Sequence, residues 1–170
     1  MFALVITGAP GAGKSEVGSY VHDLLGDAGV DAAMAEVDSL ERSYPAIDRE
    51  RSLSHLRMLA ESYREVGSEV LIVSATVEDD DYRTDLLAAV GAEDHLLVLL
   101  EADPETMRER ILDREPPGWS GLPDLLNASR SLADSMQLLD GIDVTISTED
   151  RQPNDVAAEI ELAFRTASGL

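Results

Sequence analysis

Apolar residues along the chain form short unbroken runs that alternate with longer stretches of helical spacing. The runs cover 2–7, 32–37, 69–74, 95–101 and 142–148, and the helical stretches cover 14–26, 49–66, 82–90, 104–114, 122–138 and 153–167. Unbroken runs such as 70–73 and 96–100 are typical of strands buried on both faces. Because strands and helices alternate, the sequence predicts a three-layer α/β/α fold with a five-stranded parallel sheet.

One segment breaks this alternation. Residues 115–123, EPPGWSGLP, bring Pro and Gly together between two stretches of helical spacing. Pro and Gly interrupt helices, so the segment is either a plain connecting loop or a short lid over a bound ligand. The 170 residues contain no repeat and no linker-like tract, and they suffice for one core. We therefore predict a single domain over 1–170 with a candidate lid at 115–123.

A phosphate-binding pattern follows the first predicted strand. The sequence GAPGAGKS at 8–15 fits G-x-x-x-x-G-K-[ST] and opens a helix, so that backbone N–H groups and the helix N-terminus can approach phosphate oxygens. Lys14 is expected to act in catalysis by reaching the β- and γ-phosphates of ATP, and the Ser15 hydroxyl is expected to bind Mg²⁺. The predicted nucleotide-binding residues of this loop are Gly8, Ala9, Pro10, Gly11, Ala12, Gly13, Lys14 and Ser15.

An aspartate stands where the second predicted strand ends. Ligands of open α/β sheets bind beyond the carboxyl ends of the strands, so Asp38 is expected to face the γ-phosphate across the cleft. We predict that Asp38 is catalytic. It would accept or orient the proton of an attacking hydroxyl, or bind Mg²⁺ through water, and a cap before Ser39 is the structural alternative. The sequence leaves these roles open.

Two arginines of a later helix are further candidate catalytic groups. Arg110 and Arg114 lie four residues apart and therefore on one helical face, where they would stabilise charge on the transferred phosphoryl group. Ser147 and Thr148 follow the last predicted strand, and we expect their loop to lie near the nucleotide base. The sequence has no NKxD-like guanine motif, which favours ATP over GTP.

The stretch between Asp38 and the third strand is the predicted acceptor pocket. Arg42, Arg49 and Arg51 are the candidate acceptor-binding residues. Arg49 and Arg51 cannot share one helical face, so we expect at most one of them to face the cleft. The third strand is followed by SAT at 74–76, without the acidic residue that many nucleotide-hydrolysing P-loop proteins carry there. This omission favours a small-molecule kinase over a motor-type ATPase.

Composition limits the partners. The chain has 13 basic and 34 acidic residues, a formal net charge of −21, and this field opposes binding to nucleic acid or to an anionic membrane. There is no cysteine, so disulfides and thiol catalysis are excluded. The sequence shows no signal peptide and no long apolar segment, from which we predict a cytoplasmic protein with a small-molecule acceptor. The oligomeric state is left open.

These motifs together resemble those of small P-loop kinases of the adenylate-kinase-like and adenylylsulfate-kinase-like type. The resemblance rests on GAPGAGKS at 8–15, on Asp38, on 47–75 and on DPETMRERILDRE at 103–115. It implies a P-loop NTPase fold and kinase activity. VDSL at 37–40, followed by Tyr44 and Pro45, also resembles a segment of the chloramphenicol phosphotransferase family. That similarity implies that Asp38 is the base for a substrate hydroxyl.

Three functional hypotheses follow. The leading one is an ATP-dependent phosphotransferase that moves the γ-phosphoryl group to a hydroxyl of a small nucleoside-like or antibiotic-like metabolite. The second is a nucleotide kinase whose acceptor is itself a phosphate, which requires arginines of 42–57 to bind an anion. The third is a switch or accessory protein that binds ATP and signals through a partner.

Overall fold

The strands and helices of the computed structural model, which describes residues 1–169, alternate along the chain. The strands are β1 (Phe2–Thr7), β2 (Ala32–Glu36), β3 (Val70–Ser74), β4 (His95–Glu101) and β5 (Val144–Ser147). The helices are α1 (Lys14–Asp27), α2 (Val37–Leu40), α3 (Arg49–Glu65), α4 (Asp80–Val90), α5 (Pro104–Arg114), α6 (Leu122–Ser135) and α7 (Pro153–Ser168). A 3₁₀ turn at Met136–Leu138 follows α6. Within residues 1–169, no helix combines the length and apolar character needed to cross a membrane.

The five strands form one parallel sheet in the order β2-β3-β1-β4-β5. Val5 of β1 pairs with Val73 of β3 on one side and with Leu97 of β4 on the other. The central strand is thus the one that leads into the loop at 8–15, and the loop emerges at the carboxyl edge of the sheet. The predicted α/β fold with a five-stranded parallel sheet is confirmed.

Side chains that alternate along the strands build a separate core on each face of the sheet. Leu4 and Ile6 of β1 belong to the core that includes Phe164 of α7, and α1 and α7 pack together on that face. Ala3 and Val5 belong to the opposite core, where α3 and α4 pack together. Two buried faces explain why the strand sequences are apolar throughout instead of alternating.

Several element ends differ from the sequence prediction. The second strand ends at Glu36, and Asp38 lies inside the one-turn helix α2. The last strand covers only Val144–Ser147, and the carboxylate of Asp143 just before it accepts a hydrogen bond of 2.8 Å from the Leu97 N–H of β4. The α-helix predicted over 122–138 ends at Ser135 and tightens into the 3₁₀ turn, as helix ends often do.

We predict that Leu56→Ala lowers the free energy of unfolding by about 2–5 kcal/mol, because Leu56 of α3 is fully buried and its truncation leaves a cavity. Leu162→Ala is the matched control, since Leu162 of α7 is 65% exposed, and its effect should stay within about 0.5 kcal/mol. Urea-induced unfolding of both variants measures the difference. Equal losses in the two variants would contradict the assigned core.

Candidate active site

Close backbone contacts fix the loop at 8–15, the P-loop. A Cβ atom on Gly8 would lie 2.6 Å from the carbonyl oxygen of Leu100 at the end of β4. A Cβ atom on Gly11 would lie 2.5 Å from the carbonyl oxygen of Met107 in α5. Gly11 also has a positive φ of 90°, which side chains disfavour. Only glycine at these two positions lets the loop lie against both β4 and α5.

The N-terminus of α1 is open to an anion. Its N-cap residue, Gly13, has φ 97° and provides no side-chain hydrogen bond to the first-turn N–H groups. Those donors and the positive end of the helix dipole attract a phosphate group. Ser15, in the first turn, is exposed at the same place. The P-loop therefore has free backbone donors and a free hydroxyl where the sequence predicts the nucleotide phosphates and Mg²⁺.

Lys14 is buried beneath the P-loop, with only 7% of its surface exposed. Its ammonium group donates a hydrogen bond of 2.8 Å to the Gly8 carbonyl and a longer one of 3.4 Å to the Ala9 carbonyl. Burial lowers the pKa of Lys14 to about 8, with the charge of Asp38 opposing the shift and that of Arg114 adding to it. A buried cation that lacks a full counter-charge is suited to receive a polyphosphate.

A cavity of about 550 Å³ opens in front of the P-loop. Eight of the predicted site residues line it, which are Pro10, Gly11, Gly13, Lys14, Ser15, Asp38, Arg110 and Arg114. Asp38 reaches the cavity because β2 ends at Glu36 and the chain turns at once into α2. Asp38 is exposed, and its side chain caps no helix. Groups that are distant in sequence thus meet on one water-accessible surface.

The Arg110 guanidinium donates hydrogen bonds to the P-loop and to Thr148. One guanidinium nitrogen donates to the Thr148 hydroxyl at 2.9 Å and to the Gly11 carbonyl at 3.3 Å, and the other donates to the Thr148 carbonyl at 2.9 Å. The Thr148 hydroxyl also lies 3.2 Å from the carbonyls of Ala12 and Glu101. Arg110 and Thr148 therefore join α5, the P-loop and the end of β4.

The other predicted residues at this end of the sheet differ in exposure and in the number of their hydrogen bonds. Arg114 forms an ion pair of 2.8 Å with Glu115 and remains largely exposed on the cavity wall. Ser147 is exposed, and its hydroxyl accepts a hydrogen bond of 3.2 Å from the Glu149 N–H. Thr148, in contrast, is 4% exposed and bonded on several sides. The structure therefore shows Thr148 as a support of the P-loop, whereas a contact with the nucleotide base stays a prediction.

The three predicted acceptor arginines are not brought together. Arg49 lies 3.6 Å from carboxylate oxygens of both Glu78 and Asp79, and its guanidinium stacks 4.4 Å from the centroid of the Tyr82 ring. Arg51 lines a separate shallow depression together with Asp48 and Glu50. Arg42 is exposed on the turn after α2. None of the three lines the P-loop cavity as described over residues 1–169.

Sequence reasoning missed one support of the site. The Ser129 hydroxyl of α6 donates a hydrogen bond of 2.7 Å to the Pro10 carbonyl, and Ser129 is buried. The contact joins residues 119 apart in sequence, and a single serine in an amphipathic helix carries no pattern that predicts it. The contact between the Tyr82 ring of α4 and the Arg49 guanidinium was likewise not predicted.

The donor set suits a magnesium–nucleotide complex. Within residues 1–169 there is no group of three or more His, Cys, Asp or Glu side chains arranged to hold a metal ion. Mg²⁺ in nucleotide sites commonly takes one or two protein oxygens and completes its shell with phosphates and water. The exposed Ser15 hydroxyl and the Asp38 carboxylate on the cavity wall fit that requirement.

Comparison with known proteins places the chain in a family. A family model described as an AAA domain matches residues 4–118, which include the P-loop, Asp38 and α5. The chain belongs to this AAA domain family. No curated protein sequence matches this chain.

Solved structures share the fold of this AAA domain. The crystal structure of APE1195 superposes with a TM-score of 0.68 at 20% identity, covering 97% of this chain and 95% of that one. A gluconokinase from Sinorhizobium meliloti 1021 gives 0.64 at 19% identity, covering 98% and 94%. The Mycobacterium tuberculosis APS kinase CysC, in complex with AMPPNP and APS, gives 0.62 at 20% identity, covering 93% and 94%. The AAA domain thus has the fold of small P-loop kinases, as predicted.

We predict that the buried charge of Lys14 makes the stability of the nucleotide-free protein rise in alkali. The pKa of Lys14 is lowered to about 8 in the folded state from 10.5, so the unfolded chain binds more protons between these values. The wild type should therefore gain about 2 kcal/mol relative to Lys14→Met between pH 7 and pH 10. Using the difference between the two proteins cancels other titrating groups, including Tyr82. A difference that is constant with pH would contradict the assigned burial.

We predict that Thr148→Val weakens the support of the P-loop. The substitution keeps the side-chain shape but removes the buried hydroxyl that accepts a hydrogen bond from Arg110 and lies against the carbonyls of Ala12 and Glu101, which costs about 1–3 kcal/mol of stability. ATP affinity should fall roughly tenfold if about 1.4 kcal/mol of that loss reaches the loop. Thr145→Val, at an exposed position of β5, is the control. Thermal unfolding and calorimetric ATP titration measure both effects, and identical behaviour of the two variants would refute this role.

Proposed function

We propose that this AAA domain is an ATP-dependent phosphotransferase that moves the γ-phosphoryl group to a hydroxyl of a small metabolite. The observation that carries the proposal is the shared cavity, in which Asp38 of α2 faces the same space as Lys14 and Ser15 of the P-loop. A nucleotide-binding loop alone supports binding. A carboxylate across the cavity from it supports transfer to an acceptor.

The proposed chemistry assigns each group a task. The P-loop N–H groups and Lys14 bind the β- and γ-phosphates, and Ser15 would hold Mg²⁺, which would neutralise charge on the phosphate oxygens. The acceptor oxygen attacks the γ-phosphorus while the bond from that phosphorus to the β–γ bridging oxygen breaks. Asp38 accepts the proton of the acceptor hydroxyl. Arg114, and Arg110 to the extent that Thr148 leaves it free, stabilise the developing charge.

Two of the structural relatives support a phosphotransferase. One is a gluconokinase and the other is an APS kinase bound to AMPPNP and APS, so a shared fold is used for phosphoryl transfer to two different acceptors. We propose ATP as the donor for this chain. We further propose a cytoplasmic protein with no nucleic-acid or membrane partner, supported by the net charge of −21.

A nucleotide kinase with a phosphate acceptor is less well supported. Such an enzyme needs free cations at its acceptor end, but Arg49 is held by two carboxylates, Arg51 lines a different depression, and Arg42 does not line the P-loop cavity. A nucleotide-dependent switch remains the main alternative to an enzyme. It predicts ATP binding without transfer to any acceptor, which the following experiment detects.

We expect the wild-type protein, incubated with Mg·ATP and a pooled library of hydroxylated metabolites and antibiotics, to add one phosphate to an acceptor. Mass spectrometry and γ-labelled ATP measure the transfer. Asp38→Asn should retain ATP affinity and lose roughly 10²-fold or more in kcat, because it removes the proton acceptor. Asp27→Asn, at the exposed end of α1, is the matched control and should retain full turnover.

Two results would contradict the proposal. One is tight ATP binding with no transfer to any member of the library, which favours the switch. The other is unchanged turnover in Asp38→Asn, which would show that Asp38 is not the base, although the protein would still be a kinase.

A further inference from the structure

The edge strand β2 is unpaired on its outer side. It pairs with β3, and within residues 1–169 no strand lies beyond it in the sheet. The Asp31 carbonyl just before β2 accepts hydrogen bonds from the Glu69 and Val70 N–H groups, so it faces β3. Because the backbone groups of a strand alternate between its two sides, the N–H and C=O groups of Ala32 and Met34 point away from the sheet.

A groove of about 550 Å³ opens along this edge, between helices that cover opposite faces of the sheet. The strand β2 forms its base, α1 forms one wall, and the end of α3 forms the other. The wall residues used below are Ser19, His22 and Asp23 from α1 and Tyr63 and Val66 from the end of α3. We call this depression the edge groove. An extended chain placed in it would lie beside β2 as a further strand.

The strand β2 has little of the protection that edge strands usually carry. Charged residues, Pro or a β-bulge commonly protect an edge from pairing with another chain. Residues 32–35 read Ala-Ala-Met-Ala, and the first charged residue is Glu36 at the end of the strand. The register with β3 is continuous from Ala32 to Glu36, without a bulge. The outward backbone groups are therefore suited to pair with an added strand.

The two walls of the edge groove differ in chemistry. The α3 wall presents Tyr63 and Val66, and Val66 is 78% exposed. The α1 wall is polar, with the His22 ring 3.5 Å from the carboxylate of Asp23. Successive side chains of a strand point to opposite faces of its sheet, so one set would meet the apolar wall and the other the polar wall. A segment of alternating apolar and cationic residues fits both walls.

The charge around the edge groove favours a cationic occupant. A second depression, of about 380 Å³, continues the groove past Ala32 and is lined by Asp31. The Glu69 carboxylate lies 3.4 Å from the Asp31 backbone nitrogen. In the part of the chain that the structure describes, no Lys or Arg lines either depression. The net charge of −21 makes a second copy of this chain a poor occupant, because two strongly acidic surfaces would meet.

We propose that the edge groove binds an extended, basic segment of another protein, which adds to β2 as a sixth strand of the sheet. Hydrogen bonds to the outward backbone groups of Ala32 and Met34 would provide affinity, and the unlike walls would select the alternating side chains. The proposal does not depend on phosphoryl transfer. As described over residues 1–169, the edge groove shares no lining residue with the P-loop cavity.

A peptide probe tests this mode of binding. A blocked heptapeptide of alternating Val and Lys is titrated calorimetrically into the 170-residue protein, and saturable one-to-one binding is expected. Two derivatives keep the charge but are N-methylated at all Val amides or at all Lys amides. Only one of these sets can face β2, so the two affinities should differ roughly tenfold or more. Equal affinities of the two derivatives, or equal binding of a Val–Glu heptapeptide, would overturn the proposal.

Variants of the protein test the location. Ala32→Pro removes an outward N–H at the first residue of an edge strand, where Pro is compatible with a sheet, and should weaken binding of the Val–Lys heptapeptide roughly tenfold. Val66→Lys should weaken it through charge repulsion and steric contact. Leu162→Lys, at an exposed position of α7, is the control with the same change in net charge. ATP affinity should stay unchanged in all three variants.

Val66→Lys decides the location if Ala32→Pro lowers the melting temperature too far to be used. Equal peptide affinities of Val66→Lys and Leu162→Lys would show that the peptide binds elsewhere. Sedimentation of the wild type without peptide tests the competing occupant. A monomer supports the proposal, whereas a dimer that Val66→Lys dissociates and Leu162→Lys does not would assign the edge groove to a second copy and overturn the basic partner.

Discussion

The close approach of two backbone segments to the P-loop is the constraint on which the site depends. Gly8 lies against the end of β4 and Gly11 against α5, at distances that leave no room for a Cβ atom. Because β4 is a buried strand next to the central strand β1, the loop is positioned by the interior of the sheet. The first-turn N–H groups of α1 and the buried ammonium of Lys14 then face a fixed point in space. Preorganised donors of this kind favour an anion without rearrangement.

The P-loop differs in charge from the rest of the molecule. An acidic exterior opposes the approach of a free polyphosphate, so the cations that the site requires are concentrated around the P-loop. Each of them is restrained by a bond to the protein. Lys14 donates to P-loop carbonyls, Arg110 to Thr148 and Arg114 to Glu115. The positive charge is therefore local and held in place, whereas the surrounding field favours positively charged solutes.

The fold could be predicted almost completely from the sequence, since unbroken apolar runs and helical spacing report burial directly. The P-loop could also be predicted from the sequence, because its glycines and Lys14 occur at fixed spacing within one short segment. Asp38 was placed by a topological rule, the position of ligands beyond the strand ends. Three features of the site could not be predicted from the sequence. They are the ion pairs of Arg49, the burial of Thr148 and the hydrogen bond from Ser129 to Pro10. These depend on side-chain contacts between distant segments, and no local pattern encodes which partner an arginine or a serine meets.

The hydrogen bond between Ser129 and Pro10 restrains the segment that joins α5 to α6. The helix before this segment, α5, rests on Gly11 through Met107, and the helix after it, α6, is tied to Pro10 through Ser129. Both attachment points belong to neighbouring residues of the same loop. The segment thus joins two helices that both contact the phosphate-binding loop, and its length limits how far apart the ends of these helices can lie. The helices on both sides of the segment therefore contact two adjacent residues of the P-loop, Pro10 and Gly11.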